Sequence, residues 1–468
     1  MPAIKRSKRL ILWVVTLALF LETLDATIIT TAIPQISYSL NVNPLALKAA
    51  LTSYLLSIAV FIPISSWAAE KYGTKNVFFS AMVVFTLGSI FCGLAVNLTG
   101  LVLARILQGM GGALMTPVAR MVLARLFSKT ELLKVTSYVT IPALVGPMLG
   151  PMVGGFITTF LSWRWIFFVN IPFAMYGLYF TYRYFINIRA RRAPKLDKLG
   201  FILFAIASVS FTFGFEMLGE HYVPFKVVIF ALNIGVVGLF AYWLHAKQRS
   251  KALFDLSLFQ NQTFRWALLG NAWNRLGIGG ISFILPLLFQ LGLGYTPLHS
   301  GCLMMPLALG LLLMKFGVNK IINKFGFKKV LMVNTMVLAL SILTFTLITK
   351  TTPEIIIIIL LFLLGLISSL QYSAMNTLVL ADISAKKTNQ ASVMLSTSQQ
   401  LGSSFGVGVC AVWLGFFISQ SSKADITVLG AYHQTFLVLA IMTLTTAYIF
   451  SRLAVDAGAV ASGRAALT

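Results

Sequence analysis

Stretches of apolar residues, each long enough to cross about 30 Å of hydrocarbon as a helix, recur from one end of the chain to the other. Short polar segments separate them, and every second segment is basic. Counting the stretches predicts fourteen membrane-crossing helices, at about 10–34, 47–69, 76–96, 98–127, 135–161, 163–184, 199–218, 225–245, 264–291, 298–319, 329–349, 354–380, 391–419 and 433–453. The first has a polar core and no small-residue cleavage site, so it is expected to remain as a helix rather than leave as a signal peptide. The expected class is all-α and integral to a membrane, with no room for a large soluble domain.

Composition agrees with this pattern. Of 468 residues, 58% are hydrophobic and 10% charged, and the mean hydropathy is +0.89, outside the range of ordinary water-soluble domains. A net charge of +24 would suggest nucleic acid in a soluble protein, but the placement of the basic residues argues otherwise. They gather at alternate loops, among them Lys5/Arg6/Lys8/Arg9, Lys71/Lys75, Arg120/Arg125, Arg189/Arg191/Arg192 and Lys324/Lys328/Lys329. The intervening loops hold only Lys48, Arg164, Lys226, Lys350 and Lys423. This positive-inside alternation is expected to place both termini of a multi-pass protein in the cytoplasm and requires an even number of spans.

Two halves of the chain resemble each other. "KYGTKNV" at 71–77 and "KFGFKKV" at 324–330 lie 253 positions apart, and Pro44 falls on Pro297 at the same offset. With three more residues inserted, Gly146 and Gly150 fall on Gly402 and Gly406. The implied organisation is an N-terminal six-helix bundle over 1–184, a basic cytoplasmic linker at 185–198 and an inserted two-helix hairpin at 199–245. An amphipathic linker at 246–263, a C-terminal six-helix bundle over 264–453 and a cytoplasmic tail at 454–468 complete it.

Charged residues inside these spans are the candidate chemistry, because an ionised side chain at mid-membrane is costly and normally faces a wet cavity or a partner. Glu22 and Asp25 share a face of the first span and are candidate proton carriers. On the fourth span, Arg105, Gln108, Gly109 and Gly112 follow i, i+3, i+4, i+7 spacing and form one stripe. Arg105 near Asp25 would favour the ionised acid, whereas burial favours the protonated one, so a small helix movement could load or release a proton. A fixed structural ion pair is the alternative. The fifth span carries "GPMLGPMVGG", in which Pro147 and Pro151 would bend the helix. The glycines Gly146, Gly150, Gly154 and Gly155 would admit another helix closely.

These stretches resemble the motifs of one family. "LDATIITTAIP" is similar to the "LDxTIVNVALP" signature of the fourteen-helix drug:proton antiporters, the QacA/EmrB-like branch of the major facilitator superfamily, with Thr30 where that signature has Asn. "RILQGMGG" resembles the superfamily's "RxxQGxGG" motif, which implies a proton-coupling role for Arg105. The fifth-span stretch resembles the exporters' antiporter motif, implying a gating helix. "SWAAEKYGTKNV" resembles the "GxLADRxGRK" loop, implying a cytoplasmic latch of Glu70, Lys71, Gly73 and Lys75 that ion pairs close in one conformation. Within the branch the closer likeness is to the MdtD-like enterobacterial transporters. The resemblance implies the major facilitator fold: two six-helix bundles plus an inserted hairpin, alternating between inward-open and outward-open states.

The expected function is proton-coupled export of drugs or amphiphilic organic compounds. Arg275 falls on Glu22 at the 253 offset, so one half offers an acid and the other a base. Arg275 could pair across to Glu22 or bind an anionic substrate. Asn271, Asn274, Gln371, Tyr372, Asn376, Gln399, Gln400 and Trp273 are candidate cavity walls with it, as is Gln108 on the fourth span. Export of an anionic metabolite or metal chelator such as a polycarboxylate is the second expectation. The expected partners are a small-molecule substrate, protons and the lipid bilayer, with the chain acting as a monomer and without nucleic acid. Cys92, Cys302 and Cys410 lie inside spans without CxxC spacing and read as packing residues, so no metal or cofactor is expected. No Walker A or HExxH sequence occurs, and the chain is not expected to be an enzyme.

Overall fold

The computed structural model describes residues 2–127, 129–190, 195–218, 223–249, 252–384, 387–421 and 428–459. Parts of the expected linkers and tail, at 191–194, 250–251 and 460–468, lie outside them. The described residues fall into two compact units, one formed by Met1–Leu196 with Thr296–Cys302, the other by Asp197–Tyr295 with Leu303–Thr468.

The first unit holds α1 (Pro2–Ile28), α2 (Ile33–Leu40), α3 (Lys48–Tyr72), α4 (Thr74–Gly93), α5 (Leu98–Leu126), α6 (Lys129–Phe160), α7 (Trp165–Phe168) and α8 (Asn170–Tyr184). The second holds α9 (Lys198–Met217), α10 (Phe225–Lys247), α11 (Gln262–Ile278) and α12 (Ile281–Leu287). Next in the chain are α13 (Pro297–Leu303), most of which belongs to the first unit, and α14 (Met305–Met314). The second unit continues with α15 (Val318–Phe325), α16 (Phe327–Leu343), α17 (Glu354–Ala381), α18 (Thr388–Ser421) and α19 (Val428–Ser451). All regular structure among the described residues is helical, as a chain solvated by lipid requires of its backbone polar groups.

Twelve helical segments among the described residues are long and apolar enough to cross a membrane. The other two predicted crossings fall on α6, whose apolar part is Val145–Phe160, and on the stretch built as α7 and α8. The first predicted crossing is not one rod. Pro34 supplies no N–H, and the chain tightens into a 3-10 turn at Ile29–Ala32 before α2 begins. Pro286 lies inside α12, which passes just beyond it into a π-turn at Leu288–Gly292. Asparagine and aspartate begin several rods: Asn97 Oδ1 accepts from Gly100 N at 2.7 Å and Asn261 Oδ1 from Phe264 N at 2.9 Å.

The related loops take the same backbone. Gly73 (φ 91°, ψ 144°) ends α3 and begins α4, and Gly326 (φ 77°, ψ 159°) does the same between α15 and α16. Both need the positive φ that glycine tolerates. The aligned glycine rows also do equivalent work in their own units. A side chain at Gly146, Gly150 or Gly154 would strike α1 at Thr23, Thr27 or Ile28, and one at Gly402 or Gly406 would strike α11 at Arg275 or Gly279. The inserted hairpin, α9 and α10, groups with the second unit.

Candidate functional site

Asp25 is fully buried on α1, and three donors from two other helices converge on its carboxylate. Arg105 Nη1 on α5 donates to Oδ2 at 2.6 Å, while Gln108 Nε2, one turn further along α5, donates to Oδ1 at 2.8 Å. Asn170 Nδ2, the first residue of α8, donates to Oδ1 at 2.8 Å. The helical spacing of Arg105 and Gln108 brings both side chains to one acid.

Arg105 is itself fully committed. Nη1 also donates to Gln108 Oε1 at 2.7 Å and Nε to the Ala50 carbonyl at 3.2 Å, and the guanidinium lies 4.0 Å from the centre of the Tyr54 ring. Gln108 donates in addition to Ser89 Oγ at 2.8 Å on α4. This is a buried polar network in which each charge has a partner and hydrogen bonds, as burial of charge demands. Small residues make room for it. A Cβ at Gly109 would lie 2.7 Å from the Tyr54 carbonyl, and one at Gly111 2.5 Å from Phe85 N, so α5 packs backbone to backbone against α3 and α4.

Glu22, one turn before Asp25, takes no part in this network. Its carboxylate accepts from the Thr116 hydroxyl on α5, and its backbone carbonyl accepts weakly from Tyr54 Oη at 3.5 Å. The two acids of the first crossing thus have separate surroundings.

The fifth-crossing stretch packs on the helix that carries Asp25. Thr31 Oγ1 donates to the Pro151 carbonyl at 3.1 Å, and Gly146, Gly150 and Gly154 face α1. Gly155 faces Pro297 of the short segment that groups with this unit, where Leu298 N donates to Thr159 Oγ1 at 3.2 Å.

At the latch loop, no ion pair involves Glu70, Lys71 or Lys75 among the described residues of this conformation. Lys71 lies over the Trp67 and Tyr72 rings, at 4.9 and 5.0 Å, and Lys75 Nζ donates to the Tyr182 carbonyl at 2.6 Å. The extended strap 185–190 after α8 binds the loop instead. Thr74 exchanges bonds with Ile186 and Ile188, Arg189 Nε donates to the Lys71 carbonyl at 2.7 Å, and Ala190 N donates to the Glu70 carbonyl at 3.1 Å.

In the second unit, Arg275 on α11 has neutral partners only. Nε donates to Asn271 Oδ1 at 3.1 Å, Nη1 to Ser403 Oγ at 3.1 Å, and the guanidinium lies 4.9 Å from the Tyr372 ring centre. Asn376 Oδ1 accepts from Asn271 at 3.0 Å and from Gln399 at 2.6 Å. Asn274 is fully buried, and both of its amide atoms lack a protein partner. Gln371 stands apart, bridging Asn334 and Thr335 of α16, and half-buried Gln400 does not join the cluster.

Reading the sequence missed Asn170, Ser89 and Tyr54. Asn170 had one available signal, an amide in the otherwise apolar "WIFFVNIPF".

The family model described as Major Facilitator Superfamily matches residues 15–407. "Putative multidrug resistance protein MdtD" of Pectobacterium carotovorum subsp. carotovorum is 36% identical over 450 residues, covering 95% of this chain and 96% of that protein. The protein of the same name from Escherichia fergusonii is 37% identical over 452 residues, covering 96% of each. Among solved structures, a D-xylose-proton symporter superposes with a TM-score of 0.66 at 15% identity, over 94% of this chain and 96% of its own. A POT family transporter in complex with 5-aminolevulinic acid gives 0.68 at 14% identity, over 96% of each chain. At such identities the superpositions speak for the fold alone. The helices, the fold and the matched sequence agree: this multi-pass membrane chain belongs to the Major Facilitator Superfamily.

Proposed function

We propose that this protein is a proton-coupled antiporter that exports drugs or amphiphilic organic compounds by alternating access, with fourteen crossings and both termini in the cytoplasm. The reading rests on Asp25, a carboxylate at membrane depth held by Arg105, Gln108 and Asn170. A proton on Asp25 would cancel the attraction to Arg105, and withdrawal of Arg105 would leave a buried charge without its partner. Proton occupancy and helix position are then linked, which is what coupling requires. Glu22, with Thr116, is a second proton-carrying candidate. The α3–α4 loop with Glu70, Lys71, Gly73 and Lys75 acts as a latch through the strap that binds it, and α6 acts as the gate helix. The name of the curated relatives supports drugs as substrates.

The deciding experiment measures substrate-induced proton movement in proteoliposomes of the wild type and Asp25→Asn. Coupling is expected to vanish in the variant; unchanged coupling overturns the role given to Asp25.

One observation favours a second reading. Arg275 is a cation among neutral groups, and nearby Asn274 has an unsatisfied amide, an arrangement suited to an anionic substrate. In that reading the cargo is an organic anion such as a polycarboxylate, held by Arg275, Asn271 and Asn274. Binding of anionic and cationic compounds to wild type and Arg275→Ala separates the two: loss of anion binding alone favours the second reading, and an unchanged profile rejects it.

A further inference from the structure

The inserted hairpin is held off the rest of the second unit by two aromatic struts. Phe204 on α9 meets Phe254 edge to face with centroids 5.0 Å apart, and further along the same helix Phe215 packs on Phe405 of α18 at 5.5 Å. A cavity of about 350 Å³ opens beside these contacts, walled by α9, α11 and α18. Nearly all of its lining is apolar, and Leu269 and Trp273 at its edge are 45% and 42% exposed. The cavity is therefore continuous with the surface that faces lipid.

Water is a poor occupant. A buried water needs two to four polar partners. The wall offers the hydroxyls of Thr397 and Ser398, while the Trp273 indole N–H is already given to Thr445 at 2.8 Å. Thr397 is 3% exposed and its hydroxyl has no partner in the protein. The volume and lining suit an apolar ligand or ligand segment. A charge stands at one end of the cavity. Arg265, exposed on α11, shares the helical face of Leu269, Ala272 and Leu276, all three of which line the cavity, and it lies one turn toward the basic start of that helix. Its guanidinium lies 5.5 Å from the Trp266 ring centre, and its other partner directions point to no carboxylate among the described residues.

We propose that the cavity is a lipid site: it takes one acyl chain of an anionic phospholipid from the surrounding bilayer, whose phosphate rests against Arg265. The site requires that the chain cross a bilayer and is independent of proton coupling or the nature of the cargo. Hydrocarbon fills the gap that the struts leave, and the bound lipid makes the hairpin's seat on α11 and α18 continuous. An arginine at headgroup level adds selection for a negative headgroup over a zwitterionic one.

The test uses the full chain in vesicles doped with phosphatidylglycerol or phosphatidylcholine that carries a photoactivatable group in the acyl chain, with adducts mapped by mass spectrometry. Adducts are expected on cavity residues such as Thr397 and Ser398, several-fold more with phosphatidylglycerol. Ala272→Phe fills the cavity and should cut these adducts about tenfold. Ser398→Leu fills it from the opposite wall and serves as well if Ala272→Phe fails to insert. Arg265→Gln should leave cavity labelling in place and abolish the headgroup preference. Labelling spread evenly over the lipid-facing surface, or cavity adducts unchanged by both filling variants, overturns the proposal. Displacement of the adducts by a lipophilic drug at saturating concentration would also overturn it, since the cavity would then be a cargo site.

Discussion

The Asp25 carboxylate accepts from Arg105 at 2.6 Å, and the two side chains are 0% and 1% exposed. Removing one member of such a pair strands the other charge, at a cost of about 3–5 kcal/mol, whereas replacing both by apolar groups is often nearly neutral. Arg105→Met is therefore expected to lower the unfolding temperature in detergent far more than the double variant Arg105→Met/Asp25→Leu. Equal melting of single and double variants would show that the single change strands no charge.

Asn170 gives one of the three hydrogen bonds to Asp25, from a helix start that reading the sequence overlooked. Asn170→Ala should cost about 1–3 kcal/mol, the penalty for a buried charged acceptor losing a donor. Asn170→Leu, of similar volume, should behave alike. Full recovery in Asn170→Leu would mean that packing, and not the hydrogen bond, is what the residue contributes.

The glycine row of α6 makes a prediction with an internal control. At Gly150 an added Cβ meets the Thr27 side chain, whereas at Gly154 it meets the Ile28 carbonyl. Both Gly→Ala variants should be destabilised, by about 1–3 kcal/mol. Thr27→Ala should partly rescue Gly150→Ala, and Thr31→Ala should not rescue Gly154→Ala. Thermal melts of the four single variants and two doubles decide it.

At the latch, Gly73 has φ 91° and an added Cβ would meet the Asn187 side chain of the strap. Two penalties combine in Gly73→Ala, backbone strain of about 1–3 kcal/mol and the clash with Asn187. Asn187→Ala removes only the second, so a double-variant cycle should give a favourable coupling with a residual loss. A coupling of zero would mean that the strap yields freely.

Outside the membrane spans, Asp197 caps α9 through Gly200 N at 3.1 Å, receives Leu253 N at 3.2 Å and pairs with His245 at 2.7 Å. Burial acts to raise its proton affinity, but these hydrogen bonds outweigh it and hold the carboxyl below the usual carboxylate range. With the folded pKa below the unfolded one, the stabilisation is present at neutral pH and is lost as pH falls through the folded value. Asp197→Ala should lose about 1 kcal/mol at neutral pH for the cap alone. Its deficit against wild type should shrink in acid below the carboxylate range, as read from melts across pH.

Asp25, Arg105 and Gln108 were legible because a charge in an apolar run is costly enough to be noticed and because residues three apart share a helix face. Asn170 and Ser89 were not, since neutral polar residues occur in most spans and only the meeting of helices gives these two a shared partner. The latch shows the same limit. Glu70 and Lys71 suggested ion pairs, whereas the contacts that the strap "FINIRA" makes with that loop, from its backbone and from Arg189, carried no signal in the sequence. The break at Pro34 could be placed from proline alone, whereas the grouping of Thr296–Cys302 with the first unit depends on contacts distant in sequence.

Thr23 and Thr27 of α1, and Thr31 of the turn that follows it, lie against the glycines of α6 at 146, 150 and 154, and both rows repeat every four residues. Helices meshed this way behave like a ratchet and pawl. An axial displacement of one repeat, about 6 Å, restores the fit, and any smaller one drives hydroxyls into backbone. The rod that carries the carboxylate thus has no smooth glide open to it: it travels locked to its neighbour or jumps a whole notch.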